Sequence, residues 1–330
     1  MRVLIVGAGV IGSFNAARLK EAGHDVSLLA RGRRLADLRE HGVVLEDYRT
    51  GRRSTTQVPL VDRLEPDDTY DLAIVVVRRN QIASILPTLA QNRRISSVLF
   101  LGNNAAGPQD LVAALGPDRV LIGLANAGGE RKGPVVRYVW SRRLSLPFNE
   151  WDGRPTPRTD TIVSLFQSAG LRAHVQKNMD AYLKTHAAGL PPFAGALYRV
   201  GGDVHRLAHT PEALRLFVRS YREGLRALRR VGIPVTPSAV RLVEWIPEPM
   251  LVLALRFFFD TRLAVVGGER HASAAVDEMK EIANEFREIL RRADRPCPAS
   301  DILYAEVDKR FRISAMSGAA SEDRPTPART

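Results

Sequence analysis

Arg2-Val3-Leu4-Ile5-Val6-Gly7-Ala8-Gly9-Val10-Ile11-Gly12 decides the fold. A short apolar strand runs straight into three glycines, and Ser13-Phe14-Asn15-Ala16-Ala17-Arg18-Leu19 then continues with helical spacing. A glycine triplet alone is weak, but between a strand and a helix each glycine has a task. Gly7 permits a tight turn, Gly9 lets a pyrophosphate approach the backbone, and Gly12 lets the helix sit close on the strand. With Ala8, Val10 and Ile11 these residues form a phosphate cradle, because the first amides of a helix are free to bind an anion.

About 20 residues further on, a dinucleotide-binding βαβ unit ordinarily carries an acid for the ribose hydroxyls. Here the second strand, Asp25-Val26-Ser27-Leu28-Leu29, ends in Ala30-Arg31-Gly32-Arg33-Arg34. An acid repels a 2′-phosphate, whereas a guanidinium binds one bidentately and stacks on adenine. Arg31 therefore points to NADPH over NADH. Arg33 and Arg34 read as surface charges in an arginine-rich chain. S-adenosylmethionine enzymes share glycine-rich first loops, but a strand-end arginine suits that ligand poorly.

From here outward the pattern is regular. Strands are expected at 2–6, 25–29, 43–47, 71–77, 97–101 and 119–123, with helices at 11–22, 33–41, 80–90 and 107–115. This alternation marks a parallel sheet covered by helices. Extended structure over 134–148, a helix near 158–169 and a strand near 171–175 complete residues 1–176, a Rossmann-type dinucleotide-binding α/β domain. Residues 177–314 change character: apolar positions recur at helical spacing over 178–199, 210–231, 271–293 and 299–311, so an all-α C-terminal domain is expected. Breaks fall at Gly201-Gly202, Gly232-Ile233-Pro234 and Pro247-Glu248-Pro249. Residues 315–330, rich in Ser, Ala, Pro and charge, read as a disordered tail.

Composition narrows the function classes. The chain has 330 residues, enough for two domains, with 45% hydrophobic and 25% charged residues, as in a folded globular protein. Lysine occurs only at Lys20, Lys132, Lys177, Lys184, Lys280 and Lys309, so arginine supplies most of the +12 charge. The arginines are scattered rather than gathered into a basic stripe, which speaks against a nucleic-acid partner. The lone Cys297 excludes an intrachain disulfide framework. Met250 to Phe259 is apolar but far shorter than the ~20 residues that span a bilayer. It suits a lid-like helix or a homodimer interface. With no signal peptide at the N-terminus, a cytoplasmic location is expected. No cluster of His, Cys, Asp and Glu has metal-ligand spacing in the sequence, so no metal is expected.

Reducing a ketone requires a proton donor at the carbonyl oxygen. Lys184, in Asp180-Ala181-Tyr182-Leu183-Lys184-Thr185-His186, opens the helical domain where an interdomain cleft should lie; a cleft lysine and a surface lysine are equally open readings. At this point the chain resembles the ketopantoate reductase family over almost its whole length. The shared features are the glycine turn with Arg31, Phe100-Leu101-Gly102-Asn103-Asn104, Lys184, and Asp277-Glu278-Met279-Lys280. Pro296-Cys297-Pro298 and Leu303-Tyr304 follow at similar spacing. The resemblance implies an NADPH-dependent oxidoreductase with a small carbonyl substrate and a place in pantothenate biosynthesis. It implies Lys184 as general acid, Glu278 as a substrate partner that supports Lys184, and Asn103 beside the nicotinamide. Gln81 matches the family's lysine-x-x-glutamine segment, with Arg78 in place of the lysine, and both join the implied cofactor set.

The sequence also departs from the family. Two asparagines usual after the lysine are Ala188 and Pro192, and the serine pair before the glutamate helix is replaced by Gly267-Gly268-Glu269-Arg270-His271. Losing polar substrate contacts changes substrate preference. A bulkier or more apolar ketone, a β-hydroxyacid dehydrogenase, and a non-catalytic NADP(H)-binding regulator remain as alternatives. His186 and His271 stand where they could line an altered pocket or serve structure alone.

Overall fold

The computed structural model describes residues 1–141, 143–261 and 264–322, with backbone alone at 266, 267, 270, 271 and 317–322. Twelve strands among these residues form two sheets. The larger is ordered β12-β11-β8-β7-β6-β1-β2-β5. Its members are β1 (Arg2–Val6), β2 (Asp25–Leu29), β5 (Leu60–Val61), β6 (Leu72–Val75), β7 (Ser97–Leu101), β8 (Val120–Gly123), β11 (Leu146–Glu150) and β12 (Ala173–Val175). β1 pairs in parallel with β2 on one side and β6 on the other. The strand order therefore reverses at β1, and the crevice beyond the carboxyl ends of β1 and β6 is where such sheets hold ligands. β6, β7 and β8 are buried along their whole length, which accounts for their uninterrupted apolar runs. Only β11 runs antiparallel to its neighbour β8.

The second sheet, β4-β3-β10-β9, is built from β3 (Val43–Asp47), β4 (Arg53–Thr56), β9 (Ala127–Lys132) and β10 (Val135–Trp140). It covers α1 (Val10–Glu21), where Phe14 meets Tyr138 with ring centroids 4.8 Å apart. β4, β5 and β9 escape the sequence reading. Their residues, Arg53-Ser54-Thr55-Thr56 and Ala127-Gly128-Gly129 among them, are held by partner strands and not by an apolar pattern of their own. The other helices of this half are α2 (Gly32–His41), α3 (Ile82–Gln91), α4 (Gln109–Leu115) and α5 (Pro157–Ser168).

The C-terminal half is helical: α6 (Met179–Ala187), α7 (Leu190–Arg199), α8 (Val204–Ala208), α9 (Pro211–Arg230), α10 (Glu248–Phe259), α11 (Arg270–Ala274), α12 (Val276–Ala293) and α13 (Pro298–Glu322). The segment 178–199 is two helices, not one. Pro191 and Pro192 lie in the first turn of α7, where a missing amide costs nothing, so the chain restarts at Gly189. The segment 271–293 likewise breaks at Ala275. α13 continues to Glu322, into the stretch expected to be a tail, and residues 323–330 lie outside the described residues.

α6 joins the two halves. Met179 and Leu183 sink into the core of the large sheet with Leu4, Val98 and Phe100, whereas Ala187 and Ala188 belong to the helical core with Leu225 and Phe286. Lys184 lies between these two anchor points. Among the described residues no helix is long and apolar enough to cross a membrane.

Candidate active site

The glycine turn leaves β1 with Gly7 at φ +109°, and Gly12 approaches it so closely that a Cβ there would lie 1.7 Å from the Gly7 carbonyl oxygen. A Cβ on Gly9 would meet nothing within 4 Å, so the front of the turn is open. No side chain caps α1, and no acid stands in its first turn. Such a terminus, with free amides and a positive dipole end, accepts a phosphate. Arg31 is the exposed N-cap residue of α2, whose own first turn also lacks an acid.

Arg34 is a residue that sequence reasoning left on the surface. It is half-buried over the turn and donates to the Ala8 carbonyl (3.0 Å), the Ser13 hydroxyl (3.0 Å) and the Pro134 carbonyl (3.1 Å). Burial, then the charge of Arg131, lowers its pKa to about 10. It braces the cradle against β10's hairpin. Its only signal in the sequence was the Arg31-Gly32-Arg33-Arg34 cluster, which does not reveal which arginine turns inward.

A second group of residues gathers beyond β6 and β7. Asn103, just past β7, donates from Nδ2 to Glu278 Oε1 at 3.3 Å, and the Arg79 amide donates to the same oxygen at 3.2 Å. Glu278 is 4% exposed, on the first turn of α12. The Asn103 Oδ1 atom is buried without a hydrogen-bond partner. A buried acceptor of this kind is costly unless a ligand or water satisfies it. A narrow cavity beside it is lined by Val75, Val77, Arg79, Phe100, Asn103 and Leu183.

Three ion pairs frame this junction. Lys184, 8% exposed, donates to both oxygens of Asp180 at 2.6 and 2.5 Å, one helical turn upstream. Its ammonium rests against Gly107, on the loop that Asn104 closes through two hydrogen bonds to the Gly107 backbone. Arg79 donates to Glu285 at 2.5 Å, and the other Glu285 oxygen accepts from the Ala105 and Ala106 amides. Arg78 grips Asp277 at 3.0 Å and donates to the Ala274 carbonyl at 2.6 Å, while Asn80 also donates to Asp277. Gln81 is turned back, accepting from the Arg78 amide at 3.2 Å.

Asp180, Arg79 and Glu285 were not singled out in the sequence. An acid four residues before a lysine on a helix is the only one of their signals that was legible. Ala188 and Pro192 are buried; a Cβ on Gly224 would lie 3.2 Å from both the Ala188 Cβ and Phe286. His186 is exposed on α6, and the His271 side chain is outside the described residues. One cluster also escaped the expectation that no metal-ligand grouping exists: His205, His209 and Asp260 each bring a potential ligand atom within 4.8 Å of the others.

Residues 3–150 match the family model described as ketopantoate reductase PanE/ApbA. A 2-dehydropantoate 2-reductase of Mesorhizobium japonicum is 26% identical, over 93% of this chain and 97% of its own length. Over that N-terminal stretch the chain is similar to the ketopantoate reductase family. Two solved structures share its whole fold. One, a 2-dehydropantoate 2-reductase from Geobacter metallireducens, superposes with a TM-score of 0.76 at 16% identity, covering 94% of this chain and 99% of that one. The other, a D-mandelate dehydrogenase with NADH and anilino(oxo)acetate, gives 0.78 at 18% identity, covering 95% and 99%.

Proposed function

We propose that this chain is a member of the ketopantoate reductase family, an NADPH-dependent reductase that delivers hydride to the carbonyl of ketopantoate or a related 2-oxo acid or ketone. The observation that carries the reading is the buried, unpartnered Asn103 Oδ1 beside Glu278, opening at the carboxyl ends of β6 and β7. NADPH, when bound, supplies the hydride. Ala8, Gly9, Val10, Ile11 and Gly12 cradle its pyrophosphate, and the exposed guanidinium of Arg31 takes the 2′-phosphate. Asn103 offers its free oxygen to a ligand N–H or O–H. Lys184 carries the proton that passes to the substrate oxygen, with Asp180 holding the ammonium in place until substrate arrives. Glu278 fixes Asn103 and accepts from a substrate hydroxyl. Arg78 and Gln81 shape the wall of the cofactor cleft.

One observation favours a second reading, a neutral or bulkier ketone. Lys184, Arg78 and Arg79 each face a carboxylate of the protein itself. A 2-oxo acid must compete with these acids for its counter-charge, and Ala188 and Pro192 add no polar contact. The test is NADPH and NADH titration of the purified chain, followed by NADPH oxidation with ketopantoate and a panel of 2-oxo acids and neutral ketones. Turnover of ketopantoate supports the first reading. Turnover confined to neutral ketones supports the second. Tight NADPH binding with no turnover on any carbonyl overturns both.

A further inference from the structure

We propose that His205, His209 and Asp260 form a divalent transition-metal site of zinc type, on elements that carry none of the cleft residues. His205 and His209 stand four residues apart on α8 and at its end, the spacing that stacks two side chains on one helical face. Their ring centroids are 4.6 Å apart. His209 Nδ1 lies 2.9 Å from the His205 carbonyl oxygen. A carbonyl only accepts, so Nδ1 carries the hydrogen and Nε2 keeps the lone pair that a metal needs. A backbone carbonyl fixing the tautomer in this way is a usual support for a metal-binding histidine.

The third group comes from a different element. Asp260 is the C-cap residue of α10, and its carboxylate meets His205 Nδ1 directly. A metal ion would replace the proton between these two atoms and release it to solvent. One potential ligand atom from each residue already lies within 4.8 Å of the other two. A zinc ion bound there would need these three atoms at roughly 2.0–2.2 Å, the length of zinc–nitrogen and zinc–oxygen bonds, with a fourth position left for water. Two imidazoles and one carboxylate suit zinc, nickel or copper, whereas calcium and magnesium want oxygen donors throughout.

The placement gives the site a consequence. α8 has five residues and cannot persist alone. Asp203 caps its Arg206 amide, and Glu269 accepts from the Val204 amide. A metal shared with Asp260 would tie the far end of α8 to the end of α10.

The experiment is a titration of the untagged full chain with Zn²⁺ by calorimetry and with Co²⁺ by visible absorption, for wild type, His209→Ala and Asp260→Asn. The expected result is one saturable metal per chain, with affinity falling about ten-fold or more in each variant. Zn²⁺ should raise the melting temperature of the wild type alone. The three side chains are exposed, so the variants should keep the wild-type circular dichroism spectrum. If a variant fails to fold, the wild-type Co²⁺ spectrum still decides, since a four- or five-coordinate site of nitrogen and oxygen ligands gives d–d bands far stronger than the weak ones of free Co²⁺ at the same concentration. Absence of saturable binding, or equal affinity in wild type and folded variants, overturns the proposal and leaves an ordinary exposed ion pair.

Discussion

At the scale of single residues, the cleft separates charge from its usual work by pairing it. Lys184 is buried and held at both oxygens of Asp180. A lysine that only stabilised the helix would be replaceable at little catalytic cost. A general acid would not, and removing one costs about a hundred- to ten-thousand-fold. Lys184→Ala is therefore expected to lower kcat by that factor while the NADPH Kd changes little; a variant with wild-type kcat removes Lys184 from the mechanism. Arg31 makes a complementary case, since it is exposed and owes nothing to the fold. A charge-assisted contact contributes about 1.5–3 kcal/mol, so Arg31→Ala should weaken NADPH binding by about ten- to a hundredfold. NADH binding should hardly change. Fluorescence titration with both cofactors measures the ratio, and equal losses would place Arg31 away from the 2′-phosphate.

At the scale of elements, what was legible depended on where each element finds its partners. The β1–turn–α1 unit and the central strands carry their own apolar pattern, so the sequence places them within a residue or two. β4, β5 and β9 are edge or hairpin strands whose pairing supplies the order, and nothing local announces them. The same holds for the site. Gly7 and Asn103 follow strand ends and Gly9 and Gly12 open α1, where position alone suggests a role. Arg79 and Glu285 are separated by 206 residues and meet only because α12 docks on the turn after β6. That docking is testable. Their side chains are only 10% and 7% exposed, and breaking a buried pair leaves an uncompensated charge at a cost of about 3–5 kcal/mol. Glu285→Ala should lose stability on that order in denaturant unfolding, more than an exposed pair such as Arg291–Glu288 would. The neighbouring Asp277 gives the junction a pH dependence. Burial pushes its carboxyl up, but the Asn80 hydrogen bond and the Arg78 charge outweigh burial and hold it below 3.8. A carboxyl lowered on folding stabilises the folded chain above its unfolded value, and that contribution disappears as pH falls through the lowered one. Asp277→Asn should flatten the loss of stability on acidification below about pH 5. An acid profile parallel to wild type would mean that the clamp carries no such linkage.

At the scale of the whole molecule, α10 is apolar on two faces, and only one of them is covered. Val252, Leu255 and Phe259 pack into the helical core. Met250, Leu253 and Phe257 recur at the same three- and four-residue spacing on the outside, 61%, 53% and 68% exposed, and Trp245 beside them is 81% exposed. A helix that is apolar all round is normally buried, and a contiguous outer patch of this kind marks an interaction surface. Arg256, Glu248 and Arg219 rim it with charge, and the Arg219–Glu248 pair at 2.9 Å fixes the start of α10. A second copy of the chain is the simplest partner, because a two-fold contact sets the same apolar face against itself. The expected state in solution is a homodimer, measured by light scattering after size exclusion. Leu253→Glu with Phe257→Lys should convert it to a monomer with its melting temperature little changed, since neither side chain contributes to the core. A wild-type chain that runs as a monomer at micromolar concentration would instead leave the outer face of α10 free to close over the cleft or to meet a different partner.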